Sequence, residues 1–203
     1  SDWNIYFPQL EHNLARYDVV LTDRLGSRVL PLFATQPQYF FPLYAQRTPT
    51  HRALGLPKDI DVVFAGNLNH AIHVARGRCL EKVAALSDRY RIFITGGKDP
   101  EAYTELLNRA RIVFNHSLRQ EMNLRCFETL ACGSVLFLED SNLEAREYLQ
   151  DGVDVVFYNE ATVQALVATH LEDPDRLDAI AARGHARAAE LAASAGERAL
   201  LRD

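Results

Sequence analysis

The sequence predicts a doubly wound α/β domain built on a parallel sheet. Two observations carry that reading. From about Asp59 onward, short β-branched runs alternate with longer helical patterns, and the strand runs are apolar almost throughout. Strands read this way when helices cover both faces of a parallel sheet.

The elements follow in order. Ile60 to Ala65 is a buried strand ending at Gly66, and His70 to Leu86 places Ile72, Val74, Leu80, Val83 and Leu86 at helical spacing. Arg91 to Thr95 is a second strand, closed by Gly96 and Gly97. Asp99-Pro100-Glu101 starts a helix: a capping side chain, a proline in the first turn and an acid beside it. That helix runs to about Arg109, and Ile112 to Asn115 is the third strand. Asn123 to Ala131 is a helix stopped by Gly133, followed by a strand from Ser134 to Leu138. Leu143 to Leu149 is a short helix with Asp151-Gly152 as its stop, and Val153 to Tyr158 is the fifth strand. Helices over Ala161–Leu171 and Pro174–Leu191 complete the pattern.

Residues 1–56 differ in character. Tyr17 to Asp23 reads as one strand, Gln36 to Arg47 is aromatic and broken by prolines, and Thr48-Pro49-Thr50 and Gly55-Leu56-Pro57 read as linker. One strand and a few helical turns cannot make a domain. Residues 1–56 are therefore expected to be a partial N-terminal lobe and linker, with 57–173 the α/β domain and 174–203 a C-terminal helical segment.

Composition narrows the function classes. At 203 residues, 48% hydrophobic and 24% charged, the chain can bury a sizeable core without disulfides or metals. A net charge of -5 argues against a general nucleic-acid binder, which carries a basic excess. Cys79, Cys126 and Cys132 form no CxxC pair, which points to reduced thiols and a cytoplasmic protein. No apolar run approaches the roughly 18 residues that a membrane helix needs. The histidines and cysteines show no zinc spacing, so no metal site and no cofactor are assigned.

Ligands of doubly wound sheets bind at the carboxyl ends of the strands. Three loops there carry suggestive residues. Gly66-Asn67-Leu68-Asn69-His70 follows the first strand; spacing alone makes Gly66 a turn, but a glycine also lets a ligand approach the backbone. It belongs to neither a GxGxxG nor a GxxxxGK[ST] pattern. The loop from Asn115 to Asn123 feeds the helix that holds Arg125 and Glu128. Asn123 is placed to cap that helix, whose N-terminus suits phosphate, with Arg125 or Arg119 adding charge. Arg125 and Glu128 are an i,i+3 pair, and a surface salt bridge would explain them; the apolar neighbours Phe127, Leu130 and Ala131 speak against a solvated face. A carboxylate there can accept hydrogen bonds from a ribose diol. Acidic residues in the third loop, Glu139 to Glu144, are explained as well by capping as by a ligand.

The run from Met122 to Gly133, the strand Val135 to Leu138 and the stretch Leu149 to Tyr158 together resemble the group 1 glycosyltransferases. The nearest pattern is the spore-maturation glycosyltransferase-like subgroup: N-x-R-x-F-E-x-L-A-C-G, an apolar strand, a short acidic helix, then D/E-G-x-x-V-V-x-Y. Phe64-Ala65-Gly66 is similar to that family's first strand and loop, and the likeness runs from about Tyr39 to Arg183.

The resemblance implies a GT-B architecture, two Rossmann-like lobes with the active site between them, this chain supplying mainly the C-terminal, donor-binding lobe. It implies transfer of a sugar from a nucleoside-diphosphate sugar to a hydroxyl of a sugar, lipid or protein acceptor, without metal. Glu128 matches the glutamate that holds the ribose; Asn123 and Arg125 match positions near the diphosphate. Gly66 matches the glycine facing the diphosphate across the cleft, and Asn67 and His116 are counted in the same substrate-binding set. Arg76 or Arg78 supplies charge from the next helix, Arg78 being the one counted in the site. Many relatives carry a glutamate eight positions before the second; here that position is Gln120, which can hydrogen-bond a sugar but cannot act as a base. No catalytic base is therefore named. Two other readings compete: a non-catalytic nucleotide-sugar-binding or assembly module with the same fold, and a sugar-nucleotide epimerase, for which the required acid and histidine catalysts are not found.

Overall fold

The computed structural model describes residues 20–22, 38–40, 51–97, 99–118, 120–142 and 144–200. Arg119, the Thr48–Thr50 linker and most of the aromatic Gln36–Arg47 segment lie outside the described residues. The chain divides into two units, Ser1–Leu43 and Tyr44–Asp203. In the first, β1 (Val20–Thr22) pairs in parallel with β2 (Gln38–Phe40), Leu21 opposite Tyr39. β1 falls inside the strand expected at Tyr17–Asp23. β2 was not expected, because the prolines around it mask three residues of extended chain.

The second unit is a five-stranded parallel sheet in the order β4-β3-β5-β6-β7. Its strands are β3 (Ile60–Ala65), β4 (Ile92–Thr95), β5 (Ala110–Phe114), β6 (Val135–Glu139) and β7 (Val156–Tyr158). The helices are α1 (Val74–Ala84), α2 (Pro100–Arg109), α3 (Leu124–Ala131), α4 (Val163–Leu171) and α5 (Pro174–Leu200), with a 3-10 turn at Ala145–Glu147. This is the doubly wound, Rossmann-like arrangement that the strand pattern implies. The helix expected over Leu143–Leu149 shrinks to that single turn.

Period-two alternation sorts the strand side chains onto two faces. Val62, Phe64, Ile112, Phe114, Val135, Phe137, Val156 and Tyr158 pack with α1 and α4. Leu136, Leu138 and Phe157 pack with Phe127 and Leu130 of α3, while Val63, Ala65 and Val113 pack with Leu106 and Leu107 of α2. Helix α5 serves both faces: Leu177 and Ile180 join the first cluster, Ala188 and Leu191 the α3 cluster. Asp99 caps α2 as its sequence suggests, accepting the Ala102 N–H at 3.0 Å. Gly133 and Gly152, the two glycine stops, both sit at φ 68, where a side chain is strained.

Gly184 of α5 fixes how closely that helix approaches the sheet. A Cβ there would lie 2.7 Å from the Asp154 carbonyl oxygen and 2.8 Å from Leu130 Cδ2. Gly184→Ala gains about 1 kcal/mol of helix propensity, but the overpacking against backbone costs about 1–3 kcal/mol. The variant is expected to melt several degrees lower in a thermal scan; an unchanged or raised Tm would contradict this packing.

Candidate functional site

The sheet order places a switch point between β3 and β5. After β3 the chain crosses to the α1 face, and after β5 it crosses to the α3 face, so the two loops diverge above neighbouring strands. That divergence opens a crevice at the carboxyl ends of the strands. Two arginines converge on it. The Arg76 guanidinium lies 5.6 Å and that of Arg125 5.0 Å from the centre of the Phe64 ring.

Arg76 is buried, at 7% exposure, and its partners are carbonyls. Nε and Nη2 donate to the His116 oxygen at 3.0 and 2.6 Å, and Nη1 donates to the Asn67 oxygen at 3.1 Å. Arg125 donates from Nη1 to Asn115 Oδ1 at 2.8 Å, and its Nε has no hydrogen-bond partner among the described residues. Neither arginine forms an ion pair among the described residues. Burial, and then the charge of Arg125, lower the Arg76 pKa to about 10. Positive charge is thus gathered here without a directly paired acid among the described residues, Glu139 and Glu121 acting on Arg76 only from farther off. Gly66 leaves it room: a Cβ on Gly66 would run into the Arg125 guanidinium and come within 3.2 Å of Phe64 Cζ.

Asn123 stands at the N-cap of α3 with extended backbone, but its side chain does not cap. It pairs instead with Asn115: Asn115 Nδ2 donates to Asn123 Oδ1 at 3.0 Å, and Asn123 Nδ2 to Asn115 Oδ1 at 3.3 Å. The expected cap gives way because Asn115 must face Arg125.

The loop between these asparagines is held by three side chains at and just after the end of β6. Glu139 accepts the Ser117 N–H at 3.1 Å and the Ser117 hydroxyl, and Asn142 Nδ2 donates to Glu139 Oε1 at 3.0 Å and to the Glu121 oxygen at 2.8 Å. Glu144 accepts the Met122 N–H at 2.7 Å. Burial pushes the Glu139 carboxyl above its ordinary range. Glu139 and Glu144 thus bind protein backbone, while Asp140 accepts the Asn159 side-chain amide at 3.0 Å. Gln120, exposed at the top of the loop, has φ 64, a conformation that costs a non-glycine residue about 1–3 kcal/mol.

His116 sits beside Tyr158. The Tyr158 hydroxyl donates to the Asn115 oxygen at 2.7 Å and lies 3.1 Å from His116 Nδ1. With the hydroxyl proton committed to Asn115, Nδ1 carries the ring proton and the imidazole is neutral. Burial, then Arg76, lower the His116 pKa to about 4.

Glu128 makes no ion pair with Arg125. It accepts the Tyr103 hydroxyl on Oε2 at 2.8 Å, with His51 Nε2 3.7 Å from Oε1. Asn67 contributes its carbonyl to Arg76, while its side chain accepts the Asn69 N–H at 2.9 Å. Arg78 is turned away, exposed and paired with Glu160 at 2.8 Å. Two residues along a helix are about 200° apart around its axis, so only one of Arg76 and Arg78 can face the crevice. The structure thus gathers Gly66, Asn67, His116, Asn123 and Arg125 around the switch point, with Arg76 among them and Arg78 outside. Tyr103 has no motif to announce it; its one sequence signal is a polar tip on the helix that carries buried Leu106 and Leu107.

Comparison with known proteins agrees with this architecture. A family profile described as "Glycosyl transferase-like" matches residues 60–199. No curated protein matches the chain. Among solved structures, the pneumococcal O-GlcNAc transferase GtfA, in complex with UDP and GlcNAc, is similar with a TM-score of 0.65 at 15% identity, covering 98% of this chain and 48% of that one. A variant of S. aureus TarM, in complex with fondaparinux, alpha-GlcNAc-glycerol and UDP, gives 0.66 at 11% identity over 91% and 43%. Anabaena HepE, in complex with UDP and glucose, gives 0.56 at 13% over 89% and 62%. At these identities the likeness establishes a shared fold, and the chain spans about half the length of the first two.

The neutral His116 sets a pH dependence. The unfolded chain takes up its imidazole proton near pH ~6.5, whereas the folded chain resists until about 4. The unfolded state binds more protons in that window, so stability falls as pH drops from about 6.5 towards 4. His116→Gln is expected to flatten the fall between about pH 6.5 and 5 in urea titrations; parallel curves for both proteins would refute the assignment.

Proposed function

The chain belongs to the glycosyl transferase-like family, and on that premise we propose that its second unit is the donor-binding lobe of a glycosyltransferase. The donor is a nucleoside-diphosphate sugar. The observation that carries this reading is the pair of guanidiniums at the switch point, neither of them ion-paired among the described residues. A buried cation without a counter-ion is costly, and a diphosphate offsets that cost with two negative charges at hydrogen-bonding distance.

Each neighbouring group then has a role. Arg76 and Arg125 hold the diphosphate, Gly66 gives its oxygens access to backbone, and the α3 N-terminus, whose cap side chain is engaged elsewhere, adds N–H donors. Glu128 accepts the ribose hydroxyls. Gln120 and His116 lie where the donor sugar meets the loop. Breaking the sugar–phosphate bond leaves charge on the departing diphosphate, and the arginines stabilise it in place of a metal ion. An acceptor hydroxyl attacks the anomeric carbon, and its proton goes to a base outside the residues described. The Asn123–Gly133 block supports placing the chain near the spore-maturation subgroup, and three free, buried cysteines fit a cytoplasmic setting. UDP is the first nucleotide to test, because three similar structures contain it.

Thermal shift and calorimetry with UDP, GDP, ADP and dTDP will identify the nucleotide. Arg125→Ala and Glu128→Ala are each expected to weaken its binding about 10- to 100-fold, the worth of a hydrogen bond to a charged group. Gly66→Ala provides a subtler check. Its new methyl displaces a flexible arginine rather than backbone, so affinity is expected to drop by about tenfold while Tm hardly moves. Undiminished affinity in folded Arg125→Ala and Glu128→Ala variants would sink the donor-site reading.

A further inference from the structure

Three elements that are distant in sequence meet at the Glu128 carboxylate. Tyr103 reaches it from α2, His51 from the segment ahead of β3, and Glu128 itself stands on α3. The segment bearing His51 is pinned by Asn108 of α2, whose Oδ1 accepts the Leu54 N–H at 2.7 Å and whose Nδ2 donates to the Arg52 oxygen at 3.0 Å. That anchor sets the His51 ring edge-on to Tyr103, centroids 5.9 Å apart at 75°. The Glu128 side chain is 16% exposed and the His51 side chain 13%, so Glu128 is largely enclosed yet still reaches solvent.

We infer that Tyr103 is a positioning residue for nucleotide recognition, its hydroxyl holding Glu128 Oε2 so that the rest of the carboxylate is presented to the 2′- and 3′-hydroxyls of a ribose. This rests on the donor-site reading above and deepens it. The chemistry allows one acid to serve both partners. A carboxylate offers about four lone-pair sites, and the phenol takes one. A glutamate side chain has three rotatable bonds, and recognition of a cis-diol needs both of its oxygens aimed in one plane. The 2.8 Å hydrogen bond removes that freedom before the ligand arrives. Burial raises the Tyr103 pKa, which keeps the phenol protonated and a donor at every working pH. Tyr103 touches no reacting atom in this account. The hydroxyl also interacts with Arg125, so its action through Glu128 is read from the preference for ribose over 2′-deoxyribose and not from overall affinity.

The test compares the ribose and 2′-deoxyribose forms of UDP and of GDP, titrated by calorimetry into the unaltered chain and into Tyr103→Phe. The substitution removes one oxygen and leaves the ring against His51. The ribose nucleotide is expected to lose about fivefold in affinity, one ordinary hydrogen bond's worth, while the 2′-deoxy form changes by less than about twofold. The preference for ribose therefore falls about fivefold. Equal weakening of both forms, together with a lowered Tm, would show a structural role only and overturn the inference. Tighter binding would overturn it too, because the phenol would then be competing with the ribose. If Glu128→Ala leaves affinity unchanged, or none of the four nucleotides binds the unaltered chain, the donor-site reading falls and takes this inference with it. Binding with an unaltered ribose preference in Tyr103→Phe removes Tyr103 alone.

Discussion

Arg76 and Arg125 share one aromatic ring, and carbonyl and amide oxygens, rather than a carboxylate, hold them there. Much of the surrounding structure follows from that arrangement. Asn115 turns its oxygen to Arg125 and its nitrogen to Asn123, so Asn123 stands at a helix cap position without capping. Residue 66 must be glycine for Arg125 to lie where it does. Phe64 supplies an aromatic face from β3, the strand next to β5, and only this strand order puts those two loops side by side. Two nearby acids are engaged elsewhere: Glu139 by Ser117 and Asn142, Glu128 by Tyr103 and His51. Charge is kept available by giving these two acids other partners.

The loop after β6 works differently from the two loops that line the crevice. Its side chains point at backbone, and the Ser117 and Met122 N–H groups and the Glu121 carbonyl are all satisfied by it. A nine-residue connection that would otherwise flex is therefore tied at several points, with Gln120 in an unfavoured conformation between the ties. Rigid scaffolding beneath a reactive loop is how a fold keeps polar groups in register. Acids that bind backbone in this way need burial, and Glu139 and Glu144 have it.

Much of the second unit was readable from the sequence, for a local reason. Parallel strands buried on both faces are written as apolar runs, and Asp99-Pro100 and Gly133 mark helix ends by chemistry confined to a few residues. The shortfalls came where distant contacts decided the outcome. Gln38–Phe40 pairs as a strand despite flanking prolines, because a partner strand was available. Asn123 looked like a cap and became a partner of Asn115. Arg125 and Glu128 had the spacing of an ion pair, yet each is drawn to another element. Arg76 and Arg78 were equivalent by composition and are separated only by the rotation of α1. Tyr103 was unreadable, since its meaning depends on a carboxylate one helix away.

The path of α5 carries a consequence for how the chain acquires its fold. As the polypeptide is synthesised, β4 and β5 flank β3, and β6 and β7 then extend the same edge, each strand finding its neighbour already in place. The face beneath α3 waits longest, for the later turns of α5. Leu136 and Leu138 pack with Leu130 of α3 early, but their cluster is complete only when Ala188 and Leu191 of α5 arrive, well after the sheet is formed. Until then the nascent lobe displays an apolar strip, so premature termination or slow translation within α5 leaves a species prone to self-association or chaperone capture.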